Sequence, residues 1–287
     1  MKVSATTTVT VVFFLAAFVV GAQGTDGEGE LPSLEEIDRQ LNNPLSKTWA
    51  LTLQDNIGIQ EGDLVDESTW NNLLFFQPML PVPVSKSLTF SGRPVFPLVT
   101  SPNVDFSTGE TDGHTTGLGD IQLMTLIGPD KADGWVWGAG ATFKFPTGTD
   151  PTLSQGTYQA GPAAMLLNMG RPWVYGFLFQ HWSSFAGDDS RDTSFTDFQY
   201  IIRYRWSKLT NIGCAPNIRY NWETEQLNLP IGIGFDTLVK LGPLPVKIGA
   251  ELYYYVVKSD DFGPEWQFRL LFVPVLPSPS WARTPLF

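Results

Sequence analysis

The chain has 287 residues, 43% hydrophobic and only 16% charged, with Trp 10 and Phe 20. Ordinary globular domains carry about 25% charge, and this composition excludes a disordered chain and a coiled coil. A single cysteine, Cys214, excludes a disulfide framework or a cysteine metal cluster, two histidines argue against a His-rich metal site, and a net charge of −11 argues against a nucleic-acid partner.

In chain order, Lys2 precedes an apolar run from Val9 to Val20, and Val20-Gly21-Ala22 offers small residues for cleavage. The run is short for a membrane helix and no stop-transfer pattern follows, so residues 1–22 read as a cleaved export signal. No cysteine follows it closely, which excludes a lipoprotein, and the mature chain carries 17 basic and 29 acidic side chains, net −12. An exported chain with no second long apolar run is either soluble or a membrane barrel.

Residues 23–46 form a polar N-terminal segment. Ser33-Leu34-Glu35-Glu36 is a capping-box pattern, Leu34, Ile37 and Leu41 follow at helical spacing, and Asn42-Asn43-Pro44 stops the helix. So short a helix is marginal alone and must dock on something. A cap at the periplasmic mouth is the plainer expectation, and a plug inside the lumen is the sharper one.

From Lys47 the period is 2, which predicts strands. Twelve runs stand out: 47–59, 70–83, 87–100, 117–128, 134–145, 157–168, 172–184, 194–206, 210–222, 228–240, 245–257 and 264–276. Each is long for a soluble strand and suits a membrane strand of about 9–11 residues. Short links alternate with mostly longer, polar ones, the asymmetry of an outer-membrane barrel with both termini in the periplasm. The prediction is therefore an all-β, transmembrane antiparallel barrel of about 12 strands over 47–276, in the bacterial outer membrane, followed by a tail at 277–287. Pro78, Pro81, Pro83, Pro94 and Pro97 predict bulges or an irregular periplasmic end in the second and third runs.

One face of each run is apolar and aromatic, the other polar. Trp135, Trp137, Ala139, Ala141, Phe143 and Phe145 oppose Gly138, Gly140, Thr142 and Lys144. Phe198, Tyr200, Ile202, Tyr204 and Trp206 oppose Asp197, Gln199, Arg203 and Arg205. Aromatics near strand ends match interface girdles, so the apolar face meets lipid and Asp55 is the one clear exception. The polar face then lines the lumen, with bases Arg93, Lys144, Arg203, Arg205, Arg219, Lys247 and Arg269 and acids Asp120, Asp197, Asp236, Glu251 and Glu265. Such charges either set selectivity in a pore or brace the barrel as an ion-pair network.

With these segments placed, the chain resembles the bacterial family of outer-membrane transporters named after the meta-pathway of phenol degradation, some members of which are mislabelled neuromedin U. The resemblance rests on Leu41-Asn42-Asn43-Pro44, Trp70 to Pro83 with Gly92-Arg93-Pro94-Val95-Phe96-Pro97, and Gly117-Leu118-Gly119-Asp120. Further on it rests on Gly156-Thr157-Tyr158-Gln159-Ala160-Gly161-Pro162, Phe185-Ala186-Gly187-Asp188-Asp189 and Gly263-Pro264-Glu265-Trp266. It covers nearly all of residues 33–276, while Ser278 to Phe287 has no counterpart. It implies an outer-membrane barrel with a channel or transport role, lipids around it, a small-molecule solute, and the barrel-assembly machinery as a partner during biogenesis. It supplies no substrate; an aromatic acid would suit the family name.

Candidate chemistry is sparse, and the chain reads as a non-enzyme without cofactor or metal. His181 and Ser183 share the aromatic face of one strand near the outer rim, where a lipid hydrolase could use them, but no Asn, Asp or Glu clearly joins them. A structural or adhesive barrel acting through its loops is a third alternative. Gly187 to Asp192 could offer oxygens to Ca²⁺, but its spacing is not an EF-hand, and a solvated loop is expected. Gly117-Leu118-Gly119 lacks the following helix of a phosphate loop. The turn at Ser207 to Leu209 predicts a register with Arg205 beside Asn211, Arg203 beside Gly213 and Arg219 beside Asp197. That register leaves Arg203 and Arg205 unpaired and predicts a weak anion preference.

Overall fold

The computed structural model describes residues 33–131, 133–188 and 191–287; the expected export signal and the polar stretch up to Pro32 lie outside them. Helix α1 (Leu34–Leu41) begins where expected: the Ser33 side chain accepts the Glu36 backbone N–H at 3.3 Å. The capping box is only half made, because the Glu36 carboxylate turns to Arg39 and Gln40 instead of the cap. That guanidinium holds the Glu36 carboxyl below the usual carboxylate range.

Fifteen strand segments build twelve staves of a closed antiparallel barrel. They are β1 (Trp49–Glu61), β2 (Thr69–Met79), β3 (Val82–Pro83), β4 (Leu88–Val104), β5 (Thr111–Leu118), β6 (Ile121–Pro129), β7 (Trp135–Phe145) and β8 (Thr157–Asn168). There follow β9 (Trp173–Gly187), β10 (Ser194–Arg205), β11 (Thr210–Cys214), β12 (Asn217–Asn221), β13 (Gln226–Leu241), β14 (Leu244–Val257) and β15 (Gly263–Leu276). Three staves are interrupted: β2 with β3, β5 with β6, and β11 with β12. Each stave pairs with its sequence neighbour, and β15 returns to β1 through pairs such as Gln54↔Leu271 and Ile57↔Phe268. Closure removes the edge strands that a bilayer cannot hydrate.

The breaks have local causes. Proline cannot donate to a ladder, and Leu80-Pro81 ends β2; beyond the β2–β4 pairing at Asn72 to Phe76, only the two-residue β3 continues the stave beside β4. This is the irregular periplasmic end that the prolines predict. Ala215-Pro216 likewise splits the expected run 210–222. One expected boundary is corrected: β4 and β5 continue as a tall hairpin, so the expected link 101–116 shrinks to residues 105–110. His114, expected in that link, lies on β5 and stacks on Trp70 at 4.2 Å.

Outward residues alternate with inward ones along each stave, and the outward set is exposed and apolar: Ile57, Ile59, Phe90, Ile127, Ile231, Ile233, Leu252 and Leu270. Aromatics mark both rims. Trp135, Trp173 and Trp281 stand at the end carrying the short turns, and Trp70, Trp222 and Trp266 at the other. Asp55 does face outward, opposite Leu74 and Leu270, where Asn72 donates to its carboxylate at 2.5 Å.

The interior has two unlike walls. On β6 to β9 the inward residues Met124, Leu126, Val136, Ala163, Met165, Leu167, Val174 and Leu178 form one apolar cluster with Leu45 and Met169. On the opposite wall Ile37 packs against Leu238 and Val275. Helix α1 and the residues after it thus sit within the periplasmic half of the barrel, the plug arrangement instead of the plainer cap. A charge at mid-depth on the lipid face costs about 2–4 kcal/mol and near the interface about 0–1 kcal/mol. Ile233→Arg, mid-strand on β13, should therefore destabilise the barrel far more than Leu241→Arg at the strand end. Equilibrium unfolding of the vesicle-inserted protein in guanidinium measures the difference.

Candidate functional site: the barrel lumen

Strand alternation sends Asn211, Asp236, Lys247, Glu251, Tyr253 and Arg269 to the same side as Asp38 of α1, and all are buried. Lys247 Nζ lies 2.8 Å from Asp236 and 3.4 Å from Asp38, and it donates to Asn42 Oδ1 at 3.1 Å. Asn211 Nδ2 bridges Asp236 at 2.8 Å and the two Asp38 oxygens at 3.3 and 3.4 Å. Arg203 binds Asp236 with one amino group and Glu251 with the other, the latter at 2.9 Å. Arg269 reaches Glu251 at 3.2 Å, Asn56 at 2.9 Å and the Ala215 carbonyl at 2.8 Å, lying over the Tyr253 ring. Three carboxylates thus meet three cations, with nearly every polar atom bonded. Burying unpaired charges would be prohibitive, whereas a fully satisfied network is tolerated and fixes geometry.

The register across the 207–209 turn is the expected one: Arg205↔Asn211, Arg203↔Gly213 and Arg219↔Asp197. Arg219 Nε meets Asp197 at 3.0 Å, with Asn217 donating to the same carboxylate at 2.7 Å. The expectation that Arg203 stands unpaired is corrected. Its partners come from β13 and β14, beyond the neighbouring strand, and a two-strand argument cannot see them.

The remaining expected residues fall into different roles. Asp120 accepts the backbone N–H of Gly148 at 3.1 Å and of Gln155 at 2.8 Å, so it pins the 146–156 loop to the rim. Gly117 and Gly119 permit this approach: a Cβ on Gly117 would lie 2.2 Å from Thr149 Oγ1, and one on Gly119 2.9 Å from Val99. Glu265 pairs with Lys258 at the outer mouth, where Lys258 also meets Glu61 at 2.9 Å. Asp189 and Ser190 of the expected oxygen-rich loop lie outside the described residues; Arg191 meets Asp188 at 3.4 Å.

Arg93, Lys144 and Arg205 differ from the rest. Among the described residues none has a carboxylate within ion-pair distance. Among the described residues Arg93 hydrogen-bonds through its side chain to Met124 Sδ, at 3.8 Å, and its Nε is buried without a partner. Arg205 leaves Nε and Nη1 unpaired. Lys144 Nζ lies 5.1 Å from the Trp182 ring and 5.7 Å from the Phe195 ring.

Two chambers occupy the lumen. One, of about 280 Å³, is lined by Arg93 and by amides from several staves, including Gln54, Asn56, Gln180 and Gln267. The other, of about 230 Å³, holds Lys144 and Phe195; both share Gln122, Trp182, Asp197, Arg219 and Asn228. The amides repeat at period 2, as in Gln54, Asn56 and Gln60, a signal that attention to charge alone passes over. Asp38, Asn211 and Tyr253 carry no such signal, because their partners are far away in sequence.

Around the mouth, α1 is tied to three periplasmic turns. Glu35 pairs with Arg171 at 3.3 Å and Lys208 at 3.7 Å, Arg39 with Asp133 at 3.5 Å, and Asn43 donates to the Lys131 carbonyl at 3.1 Å. These rim pairs are weak because water competes for them, so the buried Asp38 contacts provide most of the hold. Asp38→Ala should loosen α1, raise single-channel conductance and speed tryptic cleavage at Arg39 and Lys47, both compared directly with the wild-type protein in bilayers.

No family model matches the chain, and no curated protein matches it. Among solved structures it is similar to the COG4313 outer membrane channel from Pseudomonas putida F1. That match has a TM-score of 0.62 at 13% identity and covers 88% of this chain and 100% of that one. Outer membrane phospholipase A from Escherichia coli follows at 12% identity, covering 89% and 95%, with a TM-score of 0.46. The translocator domain of autotransporter NalP from Neisseria meningitidis follows at 9% identity, covering 93% and 95%, with a TM-score of 0.41. With the lipid-facing belt and the closed sheet, the first of these fixes the fold: the chain is a twelve-stranded outer-membrane β-barrel.

Proposed function

We propose that the barrel passes small solutes across the outer membrane through the two lumen chambers, with a preference for anions. The observation that carries this reading is the set of lumen cations left without acids, Arg93, Lys144 and Arg205. The Asp38 network and the Arg219–Asp197 pair are balanced within themselves. A surplus of fixed positive charge in a narrow, low-dielectric passage concentrates anions. The rings of Trp182 and Phe195 beside Lys144 favour a solute that joins a carboxylate to a flat apolar body. In this reading solutes enter from the outer mouth, and exit requires α1 to shift. Outer-membrane lipids surround the aromatic belt, and the barrel-assembly machinery inserts the chain.

The opposing reading makes the lumen charges a brace without transport. It fits Arg203, which ties Asp236 to Glu251 while Lys247 and Arg269 hold the other sides of those carboxylates, and it does not account for Arg93 or Lys144. Reversal potentials in a salt gradient across a bilayer separate the two. The wild-type protein should favour anions, and Arg93→Ala with Lys144→Ala should move the potential toward zero. Cation preference in the wild type, or an unchanged potential in the double variant, would refute the reading.

A further inference from the structure

We infer that the outer face of β9 carries a second site: Ser183, His181 and Thr196 form a hydrolytic relay for acyl esters of membrane lipids. The sequence offers His181 and Ser183 but no third member. The structure supplies one from the next strand, because the β9–β10 register places Thr196 directly beside His181. His181 Nε2 lies 3.1 Å from Ser183 Oγ, and His181 Nδ1 lies 3.0 Å from Thr196 Oγ1. Trp222 Nε1 donates to the same Thr196 oxygen at 2.9 Å. An indole N–H can only donate, so Trp222 fills one lone pair of Thr196 and holds that oxygen in place. The other lone pair can accept the Nδ1 proton, which leaves Nε2 basic and aimed at the serine hydroxyl. A nucleophile, its base and a group orienting the base are the parts that activated serine chemistry requires.

The surroundings indicate the substrate. His181, Ser183 and Thr196 are all partly exposed on the outward surface, below Trp222, which packs on Tyr220 at 4.7 Å. Trp and Tyr sit at the headgroup level of a bilayer, which is the depth of lipid ester bonds. A bulge follows the serine at once: Gln159 pairs with Ser184 and Tyr158 with Ala186, leaving Phe185 as the extra residue. Bulges re-aim side chains beside reactive sites.

The chemistry balances with water as co-reactant. Ser183 Oγ attacks the ester carbonyl carbon as its proton passes to His181 Nε2. The bond from that carbon to the lipid alcohol oxygen then breaks, and the alkoxide takes the proton from Nε2. Water attacks the acyl-serine, again giving a proton to Nε2, which returns it to Ser183 Oγ as the fatty acid leaves. Thr196 touches no reacting atom and is a positioning residue.

The test uses the purified full chain, with a fluorophosphonate probe and two substrates kept apart: phosphatidylethanolamine–phosphatidylglycerol vesicles and lipopolysaccharide. The probe should label Ser183, and fatty acid should be released from one of the two substrates, which identifies the lipid source. Ser183→Ala should abolish labelling and release. Thr196→Val should lower kcat about 100-fold, the usual size of a misplaced general base, with KM unchanged, and Thr196→Ser should restore it. Heat-shifted mobility on a gel verifies that each variant is folded. Absence of labelling and of release from both substrates, or release that survives Ser183→Ala, overturns the inference; neither result bears on conductance.

Discussion

A carboxylate inside this barrel cannot be left to bulk water or lipid, and the way Asp38 is satisfied organises much of the molecule. Its oxygens are met by Asn211 and Lys247, and Lys247 is shared with Asp236. Asp236 is shared in turn with Arg203, Arg203 with Glu251, and Glu251 with Arg269. Charges from α1, β10, β13, β14 and β15 are thereby tied into one neutral unit. Such a unit adds little to stability compared with an apolar core of the same volume, but removing Glu251 would leave Arg269 without a carboxylate and removing Lys247 would leave Asp38 without a cation. Its effect is positional: it sets α1 in the periplasmic half of the lumen and leaves the chambers beyond it.

The opposite wall reaches the same end by other means. Met124, Leu126, Val136 and Met165 close around Leu45, so apolar burial holds the segment after α1 while ion pairs hold α1 itself. Two lumen cations have neither solution in full. Lys144 lies over aromatic rings instead of a carboxylate, and Arg93 has a sulfur for its neighbour. Both line the chambers, where they stand beside the acid-paired Arg219 and, in the larger chamber, Arg269. Hydrogen-bond accounting thus separates the acid-paired cations from those without a carboxylate.

Polar groups on the lipid face obey the same accounting. Asp55 is met by Asn72, and His181 by Ser183 and Thr196. In each case a partner comes from the neighbouring strand, because an antiparallel register fixes which side chains lie together. Asp55 has a single amide beside it, which lowers the cost of its position. His181 has hydroxyls on both ring nitrogens.

Much of the architecture is legible in the chain itself. Period-2 patterning, aromatic strand ends and alternating link lengths define twelve staves, their inward faces and the end at which the termini lie, because a barrel in lipid must write its two solvents into alternate residues. The prolines at 78, 81 and 83 foretell the broken stave, and the turn at Ser207 to Leu209 fixes the Arg219–Asp197 pair. What lies across the lumen is not legible. Arg203 meets Asp236 and Glu251, Asp38 meets Asn211, and the apolar wall meets Leu45 only once the sheet closes and brings distant strands face to face. Local pattern decides which way a side chain points; curvature and closure decide what it finds there.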